Sequence, residues 1–309
     1  MSTPLTGKDY ISLTDYSPSE FQYLLDLAVE LKDKQKKGIP HTLLQGKTLA
    51  MIFQKASTRT RVSFEVAMYH LGGLGMFLSA NDLQIGRGEP IQDTARVLAS
   101  YSEGILIRTY SHQEVQELAK YSKSPVINGL TDDEHPTQAL ADMLTVYEEY
   151  GSLKGKRLAF FGDGNNVAVS LMHACALAGM EIVLACPEGY HPSGKAIGEY
   201  EKMKQPGSSL AIVEDPKAAA DGADVLYTDV WASMGQEKES QKRLEALKGY
   251  QVDEALLKLA KPGAIAMHCL PAHRGEEITD GVMEGAQSRI FQEAENRLHA
   301  HKAILAALL

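Results

Sequence analysis

Between Ser57 and Arg61 the chain reads Ser-Thr-Arg-Thr-Arg, hydroxyls and two guanidiniums within a single turn. An apolar run (48–54) precedes it, and Phe64, Ala67, Met68 and Leu71 follow at helical spacing. A strand-to-helix junction leaves first-turn N–H groups without intrahelical partners, aimed along the helix dipole. Arginine grips phosphate oxygens with a two-pronged fork. The segment is therefore read as a cradle for a phosphate-bearing ligand, built without a glycine-rich Walker loop. The plainer alternative is a capped helix with solvated arginines, but a cap needs only one hydroxyl.

Other residues suited to chemistry stand at the ends of apolar runs. Arg108 closes the run 104–110, where a charge is unwelcome without a partner and a second anion contact would supply one. His135 precedes Pro136 at a helix start; alone it reads as a cap, but with Thr137 and Gln138 the turn offers three hydrogen-bonding side chains. Gly162-Asp-Gly-Asn-Asn166 fits the start of a dinucleotide loop, yet Val167 occupies the position of the third glycine. A branched residue there opposes the close helix–strand approach, so Asn165 and Asn166 are read as amides for an α-amino-acid ligand. Asp229 can pair with an ammonium and Ser233 can hydrogen-bond the same ligand, in what is otherwise an ordinary loop. Cys269 ends the run 264–270. The neighbouring His268 should point to the opposite strand face, so Cys269 reads as a polar wall rather than a nucleophile. His268 and His273 are not at helical ligand spacing, and no metal site is read.

The elements that must position these residues alternate. Short apolar runs at 48–54, 104–110, 125–129, 157–162, 181–186, 223–229 and 264–270 are separated by segments of helical period. Strands too apolar to face water on one side, alternating with helices, imply parallel sheets covered on both faces. In such sheets ligands bind beyond the carboxyl ends of the strands, where these residues stand. About three strands precede residue 135 and four follow 155, so two α/β, Rossmann-like domains are expected, linked by the helix 136–150. A last helix from about 290 has Leu298, Ile304, Leu305 and Leu308 for packing.

The chain has 309 residues, enough for about two domains, and 44% hydrophobic residues, enough for a full core. Its net charge of -9 argues against a nucleic-acid or anionic-membrane partner. No segment approaches the ~20 apolar residues of a bilayer span, the start is not a signal peptide, and the three unpaired-looking cysteines suit a reducing, cytoplasmic setting.

Five separated motifs resemble the aspartate/ornithine carbamoyltransferase family. Phe53-Gln-Lys-Ala-Ser-Thr-Arg-Thr-Arg61 with Ser63-Phe-Glu65 is similar to its carbamoyl-phosphate loop, and His135-Pro-Thr-Gln138 to its second shared motif. Asp229-Val-Trp-Ala-Ser-Met-Gly235, His268-Cys-Leu-Pro271 and Gln84-Ile-Gly-Arg-Gly-Glu89 resemble the ornithine branch. Glu293-Ala-Glu-Asn-Arg297 also matches, while Gln54 stands where relatives often carry Glu. The likeness runs from about residue 8 to the C-terminus.

The resemblance implies a carbamoyl-phosphate domain (1–135), an interdomain helix (136–150), an ornithine domain (151–289) and a C-terminal helix (290–309) packed back on the first domain. It implies that Ser57, Thr58, Arg59 and Thr60 hold phosphate. Arg108, His135, Pro136, Thr137 and Gln138 would hold the carbamoyl group, with Cys269, Leu270 and Arg297 completing that site. Gln84 would arrive from an adjacent chain, making the protein a homotrimer or an assembly of trimers with intersubunit sites. Asn166, Asp229, Ser233 and Met234 would hold ornithine's α-amino-acid end, Cys269 would lie near its δ-amine, and Leu270-Pro271 would be cis. The implied role is citrulline formation in arginine biosynthesis, with Arg59, Arg108, His135, Asp229 and Cys269 as catalytic residues and no cofactor or metal. Competing readings are a putrescine carbamoyltransferase, a nicotinamide-dependent dehydrogenase on the 162–166 turn, and a non-catalytic amino-acid-binding protein.

Overall fold

The computed structural model describes residues 3–232 and 239–309. Two compact units form, one within Met1–Ala141 and Asn296–Leu309, the other Asp142–Glu295.

The first unit carries α1 (Pro18–Lys36), β1 (Thr48–Phe53), α2 (Thr58–His70), β2 (Leu74–Ser79), α3 (Ile91–Tyr101), β3 (Gly104–Arg108), α4 (His112–Tyr121) and β4 (Val126–Leu130). Its strands are all parallel, in the order β2-β1-β3-β4. Ile52, Ile105, Ile107 and Val126 of the sheet pack with Ala95 of α3 and Val115 and Leu118 of α4. Burying each large aliphatic side chain contributes roughly 1.5–3 kcal/mol, so the inner strands are fixed firmly.

After α5 (Pro136–Tyr150), the second unit runs β5 (Arg157–Phe161), α6 (Asn166–Ala178), β6 (Glu181–Ala185), α7 (Gly194–Met203), β7 (Ser209–Val213), α8 (Pro216–Ala220) and β8 (Val225–Thr228). It continues through α9 (Ser240–Leu247), α10 (Glu254–Leu257), β9 (Ile265–His268) and α11 (Asp280–Met283) to α12 (Ile290–Leu308). These strands too are all parallel, in the order β7-β6-β5-β8-β9. Both α5 and α12 run from one unit into the other, divided at Ala141/Asp142 and Glu295/Asn296.

The chain is thus α/β, with two parallel sheets flanked by helices. Among the described residues there are two strands more than the apolar runs indicate, β2 and β7. Both are sheet edges. Their side chains stay half-buried or exposed, so Leu-Gly-Met-Phe-Leu-Ser and Ser-Leu-Ala-Ile-Val lack the continuous β-branched character of an inner strand.

Strand order also locates the ligand regions. In the first sheet the chain goes from β1 outward to β2, then crosses to β3 on the other side. In the second it goes outward from β5 and returns to β8. The switch points, β1/β3 and β5/β8, are where open α/β sheets form a crevice at their carboxyl ends. Ser57–Thr60 follow β1, and Arg108 ends β3. The 162–166 turn and Asp229 follow the second pair.

Candidate active site

In the first unit the residues converge on one hydroxyl. Ser57 caps α2, its Oγ accepting from the Thr60 N–H at 3.1 Å. That places the Thr60 side chain in the first helical turn, fully buried. Its Oγ1 accepts from Arg297 Nη2 at 3.0 Å and from Arg108 Nη1 at 3.3 Å. Arg297 Nη1 also donates to Gln138 Oε1. Arg108 and Arg297, 6% and 3% exposed, therefore meet on neutral acceptors beside the open end of a helix. Two guanidiniums brought to one helix start suit an anion, whose oxygens they can grip with charge-assisted bonds.

His135 lies in the same cluster. Burial first, then the neighbouring Arg297, Arg108, His301 and Arg59, hold its imidazole well below the ordinary range. It is a neutral hydrogen-bonding group at physiological pH, with Nδ1 3.4 Å from Thr137 Oγ1. Pro136 and Thr137 are buried with it, Arg59 is half-buried and Thr58 is exposed. Arg61 differs from its reading as a second guanidinium of the cradle. It bonds Glu65 at 3.1 Å and lies over the Phe77 ring at 3.6 Å, an ordinary surface arrangement. Gln84 is exposed in the 3-10 turn Gln84–Arg87 between β2 and α3, and takes no part in these hydrogen bonds.

In the second unit Asp229 is the centre. Its Oδ1 accepts from the Val230 N–H at 2.8 Å and the Cys269 thiol at 3.0 Å, and its Oδ2 from Asn165 Nδ2 at 2.8 Å. Asn165 also caps α6, its Oδ1 accepting from the N–H groups of Val167 and Ala168. One amide thus orders the helix start and orients the carboxylate. Asn166 is half-buried at the first position of α6. Burial and the Asp229 charge push the Cys269 thiol well above the ordinary cysteine range. A thiol held protonated is a weak nucleophile. Ser233 and Met234 lie outside the described residues.

Beyond Cys269 the backbone turns sharply. Leu270 has φ 58°, and Leu270-Pro271 is cis, as the resemblance implies. The Leu270 N–H donates to His268 Nδ1 at 2.8 Å, which leaves His268 Nε2 to carry its proton toward Glu277 Oε1 at 3.0 Å. Asp229, His268 and Cys269 present ligand atoms within 4.8 Å of one another. With both imidazole nitrogens of His268 already engaged, the trio is a hydrogen-bonded cluster rather than an open donor set for an ion.

The 162–166 turn also departs from nucleotide loops in space. A Cβ on Gly164 would meet the Pro192 ring at 2.5 Å and the Tyr190 carbonyl at 2.8 Å. The face that a pyrophosphate would need is taken by the chain itself. Asp163 instead accepts from Arg243 Nη1 at 2.5 Å.

Two partners escaped the sequence reading. His301 touches Arg297, and Ser63 touches His301 from 238 positions away. Only the i, i+4 spacing of Arg297 and His301 gave a local signal.

Residues 8–148 match the family model described as the aspartate/ornithine carbamoyltransferase carbamoyl-P binding domain, and residues 154–308 the model of its Asp/Orn binding domain. The chain is 56% identical over 306 residues to an ornithine carbamoyltransferase of Anoxybacillus flavithermus, covering 99% of this chain and 98% of the relative. It is 54% identical over 310 residues to that of Pyrococcus abyssi, covering 100% and 98%. Among solved structures, the ornithine carbamoyltransferase from Pyrococcus furiosus superposes with a TM-score of 0.96 at 52% identity, covering 100% of this chain and 98% of that one.

Proposed function

The chain belongs to the aspartate/ornithine carbamoyltransferase family, and we propose that its first unit holds carbamoyl phosphate while its second holds L-ornithine. It transfers the carbamoyl group of carbamoyl phosphate to the δ-amine of L-ornithine, giving L-citrulline and phosphate. One observation carries the assignment of the first unit: Arg108 and Arg297 converge on the Thr60 hydroxyl at the capped start of α2. Ser57, Thr58, Arg59 and Thr60 hold the phosphate. Arg108, His135, Pro136, Thr137 and Gln138 surround the carbamoyl group, and Cys269, Leu270 and Arg297 complete its site. Asp229, held by Asn165 and Cys269, receives the α-ammonium of ornithine. Asn166, Ser233 and Met234 bind the remaining α-amino-acid atoms.

The uncharged δ-amine attacks the carbonyl carbon. Negative charge gathers on the carbonyl oxygen, which Arg108 and neutral His135 stabilise. The carbon–oxygen bond to phosphate breaks, and the departing phosphate, held by Arg59, takes the proton that the amine loses. Atoms and charges balance without a covalent enzyme intermediate, a metal or a cofactor. Each such donor contributes about 3–4 kcal/mol to the transition state.

The chain works as a homotrimer or an assembly of trimers, with Gln84 entering the site of a neighbouring copy. The exposure of Gln84, on the turn between β2 and α3, supports this, because a side chain offered to a neighbouring copy must be accessible. Among the described residues no helix is long and apolar enough to cross a membrane, and the three cysteines are free, in keeping with a cytoplasmic enzyme. The relative from Pyrococcus furiosus is named anabolic, which supports a role in arginine biosynthesis. Incubation with carbamoyl phosphate and ornithine, putrescine or aspartate in turn, with mass analysis of the ureido product, tests the reading. Citrulline should dominate. Carbamoylputrescine formed at a comparable rate would overturn the substrate assignment.

A further inference from the structure

We propose that His301 is a positioning residue for carbamoyl-phosphate binding, holding the Arg297 guanidinium in register with the start of α2 through a one-way hydrogen-bond chain. The inference rests on the assignment of the first unit to carbamoyl phosphate.

The direction of the chain follows from the donors. A guanidinium can only donate. Arg297 Nε donates to His301 Nε2 over a long 3.4 Å, so that nitrogen is an acceptor. The imidazole proton then sits on Nδ1, which donates to Ser63 Oγ at 2.9 Å. The Ser63 hydroxyl in turn donates to the Arg59 carbonyl at 2.5 Å, inside the first turn of α2. Every donor has an acceptor, and only one tautomer satisfies the set. The alternative tautomer would press a ring N–H against the Arg297 Nε–H.

The ring itself cannot swing away. It stacks on Phe64 with centroids 3.8 Å apart and planes 17° apart, and His301 is fully buried. Burial and the Arg297 charge both keep it neutral. Arg297 has its other two nitrogens on Gln138 and Thr60. His301 therefore supplies the third side of the guanidinium's seat and links α12 to the helix that carries the phosphate-binding residues. Thr60 and Gln138 are residues that ligand also needs, whereas His301 is committed to Arg297 alone on that edge.

The test compares His301→Phe, which keeps the stack and removes both bonds, with His301→Gln, whose amide can restore an acceptor near Nε2. The His301→Phe variant should raise the KM for carbamoyl phosphate at least about fivefold, less than a well-made bond to a charged group would give because the Arg297–His301 contact is long. The KM for ornithine should change less than about twofold, and inhibition by inorganic phosphate should weaken in parallel. His301→Gln should recover most of the loss. Ser63→Ala, which cuts the chain at its far end, provides a second route if His301→Phe does not fold, and should show the same selective rise. An unchanged carbamoyl-phosphate KM in whichever variant folds would overturn the proposal. So would equal damage to both substrates with no recovery in His301→Gln, since that pattern belongs to a general packing defect. A parent enzyme that makes no citrulline would instead overturn the functional reading beneath it.

Discussion

Replacing Arg108 with methionine separates its chemistry from its packing. Methionine keeps an unbranched stem at the end of β3 and removes the guanidinium. In the free protein Thr60 Oγ1 loses a 3.3 Å donor but keeps Arg297 Nη2 at 3.0 Å. A well-made bond to a charged group contributes roughly 1.5–3 kcal/mol, but this one is long. The change also removes one of the cations that crowd His135. The two effects oppose each other, so stability should stay within about 1 kcal/mol of the parent, and Tm within about 4 °C for a chain of this size. In the reaction nothing offsets the loss. An oxyanion donor removed from a buried site costs roughly 10²–10³ in turnover. The assay is citrulline formation at saturating carbamoyl phosphate and ornithine, paired with thermal unfolding. A folded Arg108→Met variant with kcat within about tenfold of the parent would refute the placement of Arg108 at the reacting carbonyl.

Asp229→Asn should raise the ornithine KM by about 100-fold, because a charged partner for the ammonium is lost, while the carbamoyl-phosphate KM moves less than about threefold; equal rises for both substrates count against the role of Asp229. Cys269→Ala should retain kcat within about tenfold, and iodoacetamide should label Cys269 slowly at neutral pH, since burial and Asp229 keep the thiol protonated. A total loss of turnover with rapid alkylation would point to a nucleophile instead. His135 and His301 are both held well below the ordinary histidine range, chiefly by burial and then by Arg297. The unfolded chain therefore binds more protons than the native one once the pH drops below about 6.5, and stability falls on acidification while staying level above that value. Each residue accounts for at most about 1.4 kcal/mol per pH unit. The decline in urea midpoint between pH 7 and 5 should be shallower in His301→Gln, and a slope identical to the parent would show that His301 is not buried neutral.

Buried strands and the turns that carry the candidate site residues were legible from the linear chain because they concentrate their signal locally. The run 48–54 is apolar because β1 lies between β2 and β3 and buries its residues. The Ser57–Thr60 turn reads as an anion cradle because a helix start needs a cap and arginine favours anions. Strands β2 and β7 were not legible: unlike β4 and β9, which are also sheet edges but are buried, they keep a half-wet face and have no need of a continuous apolar run. Arg61 has a residue type that suits phosphate, but its place on α2 turns it toward Glu65 and Phe77.

By itself the sequence determined which residue types could act and at which strand ends they would stand. Only the tertiary structure decided their partners. Strand order set the switch points at β1/β3 and β5/β8, and nothing in the linear order of strands encodes which neighbour each will pair with. The meeting of Arg297 with Thr60 spans 237 positions, and that of Cys269 with Asp229 spans 40. Protonation followed from those meetings. A histidine near 6.5 and a thiol near 8.5 are ordinary in an open chain; burial among guanidiniums makes His135 a neutral donor, and burial beside a carboxylate keeps Cys269 a thiol. Composition fixes the charges a protein owns, while desolvation and proximity, which exist only once the chain has folded, fix the states in which those charges work.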